Sequence, residues 1–172
     1  MALLDIKIYG NQVLREKCTP VAEVTPELVE LAHNMLETMY DAPGCGLAAP
    51  QVGQTIRLVV IDCAVPDEED PDPYIMFNPE WEAEEDAEDV VHEEGCLSIP
   101  DVWGDVHRKS KVRVTYLDEH GERQEKRGVE GLLARCIQHE TDHLDGVLFV
   151  DKISISDRTL NASKLKKLAK GK

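Results

Sequence analysis

The stretch Gln138-His139-Glu140-Thr141-Asp142-His143-Leu144 constrains this chain more than any other, because its H-E-x-x-H spacing ties a helix, a metal and a base together. In a helix of about 3.6 residues per turn, positions four apart lie about 40° apart around the axis and about 6 Å along it. His139 and His143 can therefore chelate one ion. Glu140 projects from the neighbouring flank, close enough to serve a water at the ion without taking a ligand position, which is what metal-assisted hydrolysis of an amide needs. A surface helix with two accidental histidines is the plain alternative.

At 172 residues the chain suits one compact domain, read as residues 1–172 with a basic tail over 157–172. The start, Met1-Ala2-Leu3-Leu4-Asp5-Ile6-Lys7, lacks the basic flank and long apolar run of a secretion signal, and no later stretch is apolar enough to span a bilayer. A cytoplasmic protein without membrane contact is the expectation. The five cysteines are odd in number and include no C-x-x-C pair, so reduced thiols are expected rather than a disulfide framework. A net charge of -15 argues against DNA or anionic membrane as a partner of the protein's body. The acid concentrates from Asp67 to Glu94, with no Lys or Arg between Arg57 and Arg108. A solvated face explains it, as does a field that deters anionic ligands.

Thr25-Pro26-Glu27-Leu28 opens a helix with a capping threonine and a first-turn proline, and Leu28, Leu31, Met35, Leu36 and Met39 form its apolar stripe. Pro43-Gly44 ends it. Ile56 to Ile61 reads as a strand, Pro66 to Pro73 as a loop, and Tyr74 to Asn78, Val90-Val91 and Val112 to Tyr116 as further short strands, the last followed by a hairpin turn at Glu119 to Glu122. The metal helix is expected from near Val129 to Asp145-Gly146. The pattern predicts an α+β fold: short antiparallel strands around a central metal-binding helix, with an N-terminal helix and a C-terminal helical tail.

A third ligand has to come from elsewhere, and Cys96 in Glu94-Gly95-Cys96-Leu97-Ser98 is the best candidate, since the adjoining glycine permits close backbone approach. Thiolate and two imidazoles leave one position open for water. Cys136 would instead make a closed structural Cys2His2 centre. Three residues before His139, it lies about 4.5 Å further down the axis and reads as pocket wall.

The run Gly44-Cys45-Gly46-Leu47-Ala48-Ala49-Pro50-Gln51 lets a substrate backbone lie against small residues, with Gln51 offering an amide donor to an oxyanion. Together, in this order, the three segments resemble the signature motifs of the peptide deformylase family, Gly-x-Gly-Leu-Ala-Ala-x-Gln, Glu-Gly-Cys-Leu-Ser and Gln-His-Glu-x-Asp-His-Leu. The resemblance extends from Leu14-Arg15 and Pro20-Val21 to Gly146, Leu148 and Phe149, nearly the whole chain up to about Asp151.

The resemblance implies a metallohydrolase that removes the formyl group from the initiator methionine of new polypeptides and releases formate. By matching position, Cys96, His139 and His143 look like the metal ligands, Glu140 like the general base and acid acting on a metal-bound water, and Gln51 and the Leu97 N–H like the oxyanion donors. Gly44, Cys45, Gly46, Glu94, Gly95, Arg135 and Cys136 are expected on the substrate side. Cys45 departs from the aliphatic residue expected at its position, and Arg108 could pair with Glu94. Donor chemistry favours zinc, whereas the resemblance implies iron(II), with Zn2+, Ni2+ or Co2+ as substitutes. A zinc endopeptidase and a metal-stabilised binding protein are the competing readings. The tail Leu160 to Lys170, with leucines at 160, 165 and 168 among lysines, reads by itself as a loose helical stripe or a frayed, solvated terminus, whereas the resemblance implies that it docks on the ribosome.

Overall fold

The computed structural model describes residues 2–171. Helix α1, Pro26–Asp41, starts where the sequence places it: the Thr25 side chain accepts from Leu28 N, and Pro26 occupies the first turn. Then come β1 (Gly46–Ala48), β2 (Leu58–Ile61), β3 (Tyr74–Ala83), β4 (Asp89–Cys96), β5 (Ile99–Lys109), β6 (Lys111–Leu117), β7 (Arg123–Glu130), α2 (Gly131–Leu144) and α3 (Ile155–Ala169). The fold is α+β. A five-stranded antiparallel sheet runs in the order β1-β2-β3-β6-β7, and β4 and β5 form a separate hairpin.

Strand β2 explains the layering. All four of its residues are buried, yet successive side chains must point to opposite faces. Leu58 and Val60 pack with Met35, Met39 and Phe77 under α1, while Val59 and Ile61 pack with Met76, Val114, Cys136 and Ile137 under α2. The sheet is thus covered on both sides, and each such side chain contributes about 1.5–3 kcal/mol by leaving water. A third cluster joins Ile99, Val102 and Val106 of the hairpin to Leu148, Phe149 and Leu165, so the hairpin rests on the chain after α2 and on α3.

Three strands escape the sequence reading: β1, only three residues long, β5 and β7. In β5, Val102, Gly104, Val106 and Arg108 are buried at alternate positions, but a glycine and a buried arginine break the apolar pattern. Only Val129 of β7 is buried, and the backbone ladder with β6 holds the rest. Because this strand runs through Val129 to Glu130, α2 begins at Gly131 rather than near Val129. Helix α2 is central, with ten of its residues buried, polar ones included. Among the described residues no helix is long and apolar enough to cross a membrane.

Candidate functional site

Three elements deliver the three sequence segments to one place. Helix α2 carries His139, Glu140 and His143; the end of β4 and the turn into β5 carry Glu94 to Ser98; β1 and the following 3-10 turn, Ala49–Val52, carry Gly46 and Gln51. The donor atoms of Cys96, His139 and His143 lie within 4.8 Å of one another, and Cys96 Sγ is 3.4 Å from His143 Nε2. An ion bonded at about 2.0–2.3 Å to nitrogen and sulfur sets its donors roughly 3.5 Å apart, so the set fits a metal with little movement.

The unsatisfied atoms point the same way. Among the described residues, Glu140 Oε2 and His143 Nδ1 are the buried side-chain atoms without a hydrogen-bond partner, and both belong to this site. Buried polar atoms ordinarily have partners, so an orphaned carboxylate oxygen beside three metal-type donors marks a place for a ligand. Burial pushes the Glu140 carboxyl up to about 7; His139 opposes that shift and Cys45 and Glu94 add to it. His143 is held well below the ordinary histidine value by burial and by the nearby Arg108 and Arg15 charges, which keeps its ring neutral.

Gln51 is buried, and its amide has one consistent orientation. Oε1 accepts from Ala48 N at 2.9 Å, which turns Nε2 toward Ser98 Oγ at 3.0 Å and Cys96 Sγ at 3.5 Å. Leu97 sits in the turn directly after Cys96, and its side chain fills the space where Gly44 would carry a Cβ, only 2.7 Å from Leu97 Cδ1. A Cβ on Gly46 would stand 2.8 Å from Glu140 Oε1. Both glycines therefore allow the first segment to touch the other two. Gly95 lies under the exposed Trp103 ring.

Glu94 and Arg135, expected on the substrate side, turn inward instead. Glu94 accepts from Arg108 through Nε and Nη2 at 2.9 Å each, from Arg135 Nη1, and meets His139 Nδ1 at 2.8 Å. Arg135 also donates to the Val106 and Val90 carbonyls, so it is neither a rim charge nor free for a ligand. Burial alone would raise the Glu94 carboxyl, but the hydrogen bonds from Arg108 and His139 hold it well below the carboxylate range. A carboxylate on Nδ1 fixes the ring tautomer and directs the Nε2 lone pair at the metal position. Cys136 lies outside the donor group, its Sγ 3.1 Å from that of Cys45.

Sequence reasoning missed three supports. Ser98 holds the Gln51 amide, Asp142 accepts from Arg108 Nη1 at 2.6 Å, and Phe149 stacks on His139 with ring centroids 6.1 Å apart. Ser98 and Asp142 both lie inside the quoted motifs, where a polar side chain beside a ligand was the available signal.

The polypeptide deformylase family model matches residues 3–159. The chain belongs to the polypeptide deformylase family. A peptide deformylase of Mesorhizobium japonicum is 49% identical over 172 residues, covering 100% of this chain and 96% of the relative. The crystal structure of peptide deformylase from Ehrlichia chaffeensis superimposes with a TM-score of 0.87 at 33% identity, over 96% of each chain. A peptide deformylase from Synechococcus elongatus in complex with actinonin gives 0.80 at 44% identity, over 98% of this chain and 86% of that one. This deformylase is a metal-dependent hydrolase acting on formylated nascent peptides, with a Cys/His/His group able to hold the metal.

Proposed function

We propose that the chain removes the formyl group from N-formylmethionyl nascent peptides with Cys96, His139 and His143 holding one iron(II) ion, Glu140 moving the proton, and Gln51 and the Leu97 N–H receiving the oxyanion. The observation that carries the assignment is the unpartnered, buried Glu140 Oε2 beside three convergent donors. When bound, the ion supplies a Lewis acid that polarises the formyl carbonyl and makes a water more acidic. Glu140 takes a proton from the attacking water and returns it to the departing amine. Gln51, with Oε1 held by Ala48 N and one Nε2 hydrogen on Ser98 Oγ, has only to turn its second N–H from the long 3.5 Å contact with Cys96 Sγ to the negative oxygen, and one such donor is worth about 2.7–4 kcal/mol of barrier. Gly46, Gln51 and Leu97 crowd the carbonyl substituent, which favours hydrogen over methyl and so formyl over acetyl.

Strand β1 is the edge of its sheet, which supports Gly44 to Gly46 as the line along which a substrate peptide adds as a strand. Residues 1–172 serve as one catalytic domain, of which Met1 and Lys172 lie outside the described residues. The resemblance supports iron(II) over zinc, nickel or cobalt, and the cytoplasm as the place of action. The exposed Leu160, Lys166 and Lys167 of α3, with Lys170 just past its end, form a basic, partly apolar face suited to the ribosome. Formate release from a formyl-Met peptide, measured beside its acetyl counterpart on the iron-loaded protein, tests the assignment. Formate at high rate with the acetyl peptide inert is the expected result, and equal cleavage of an internal peptide bond would overturn it.

A further inference from the structure

Three of the five cysteines converge away from the metal ligands. Cys45 immediately precedes β1, Cys63 follows β2, and Cys136 lies on α2 one turn before His139. The pairing of Gly46 with Ile61 and the hydrogen bond from Asp62 N to Cys45 O bring the ends of the two strands together, and α2 closes over them. Cys45 Sγ stands 3.1 Å from Cys136 Sγ, and Cys63 packs against the same cluster. Hydrogen bonds from Cys136 and Cys63 hold the Cys45 thiol well below the ordinary thiol value, whereas its bonds to Cys45 and Cys63 push Cys136 well above it.

We propose that Cys45 and Cys136 form a reversible disulfide driven by peroxide, a modification site separate from the metal ligands. Cys45 is the partly exposed member and meets the oxidant; Cys136 is buried behind it. The Cys45 sulfur attacks one peroxide oxygen, the O–O bond breaks, and the departing hydroxide takes up the proton that Cys45 has lost, leaving a sulfenic acid and one water. The Cys136 sulfur then attacks the Cys45 sulfur, the S–O bond breaks, and the leaving oxygen takes the Cys136 proton as a second water. The two thiols lose the two electrons that peroxide gains. Because the second sulfur already stands 3.1 Å away, it captures the sulfenic acid before another peroxide can carry Cys45 to the irreversible sulfinic acid. Exchange with a small thiol restores both cysteines.

Zinc has no redox chemistry of its own, so the zinc-loaded full chain is the sample to use. It is treated with hydrogen peroxide, its free thiols are alkylated, and unreduced digests are mapped by mass spectrometry. The expected product is a cross-linked peptide containing Cys45 and Cys136, which dithiothreitol returns to two alkylatable thiols. Cys63→Ser keeps the link. In Cys136→Ser the link is absent and Cys45 advances to sulfinic acid. Cys45 and Cys136 both staying alkylatable at a dose that oxidises free cysteine in the same tube would overturn the proposal, as would a link made through Cys63.

Discussion

Glu94 Oε1 lies 2.8 Å from His139 Nδ1, and this contact joins the two segments that supply the metal ligands. Glu94 sits two residues before Cys96, so one carboxylate sets both the rim of the thiolate strand and the tautomer of an imidazole. It also lies between two buried guanidinium groups, Arg108 and Arg135, whose charges it offsets.

Substitution at Glu94 should therefore act in two separable ways. Glu94→Ala leaves buried Arg135 without its carboxylate and Arg108 with Asp142 alone, and such breaks cost about 3–5 kcal/mol; denaturant unfolding measures the loss. Glu94→Gln keeps the shape but weakens the hold on the His139 ring, so metal affinity should fall by about 10- to 100-fold. Chelator competition reads that out. A folded Glu94→Gln protein with unaltered metal affinity would remove the orienting role.

Glu140→Ala should keep its metal, because the carboxylate lies outside the Cys96, His139 and His143 donor group. Turnover should drop by about 10²- to 10⁴-fold, the usual worth of a positioned acid or base. Metal analysis and formate assay on one sample decide it. Near-normal rates in the metal-loaded variant would assign the proton transfer elsewhere.

Cys96→Ser replaces a thiolate with a neutral hydroxyl, a much poorer ligand, and should lose metal on dialysis. Cys136→Ala should stay loaded, since that sulfur meets Cys45 and not the ligand group. An emptied site in Cys136→Ala, or full occupancy in Cys96→Ser, would redraw the donor set.

Gly46→Ala tests the contact between β1 and α2. The new Cβ would stand 2.8 Å from Glu140 Oε1, so the carboxylate has to shift while the ligands stay put. Misplacing a reacting group by about 1 Å costs on the order of 10²-fold in rate. The expected outcome is full metal content with a rate reduced to that extent; wild-type turnover would show that the carboxylate has room to spare.

What the sequence revealed and what it hid divide along local and non-local interactions. The ligands, Glu140 and Gln51 lie in short segments whose spacing is itself the signal, and α1 is legible from Thr25, Pro26 and one apolar stripe. Side-chain direction was not legible. Between the Glu94 and Cys96 pairings the hairpin changes register, with β5 using more residues than β4, and such irregularities re-aim side chains in ways no alternation pattern reports. That is why Glu94 reads as a substrate contact yet faces inward, and Arg135 on α2 is drawn in by the same carboxylate and by the Val90 and Val106 carbonyls. Strand β7 was hidden because its polar residues are held by the ladder to β6 rather than by a core face.

The tail changes most between sequence and structure. Its three leucines do not share a face: Leu165 is buried with Ile99 and Val102, Leu168 is half-buried, and Leu160 is 80% exposed. Helix α3 is capped by the Ser154 side chain and anchored to the hairpin, with Asn161 Nδ2 donating to Trp103 O and Lys164 Nζ to Asp101 O. Deleting the residues after Asp157 would therefore uncover the hairpin core as well as remove charge. Leu160→Asp with Lys166→Glu, Lys167→Glu and Lys170→Glu alters only the outward face. Hydrolysis of a short formyl peptide should be unchanged in that variant, while cosedimentation with ribosomes at low salt weakens. The slope of log affinity against log salt should flatten by about 1 for each lysine that meets a phosphate. Equal ribosome binding by the two proteins across the salt series would exclude α3 as the docking surface.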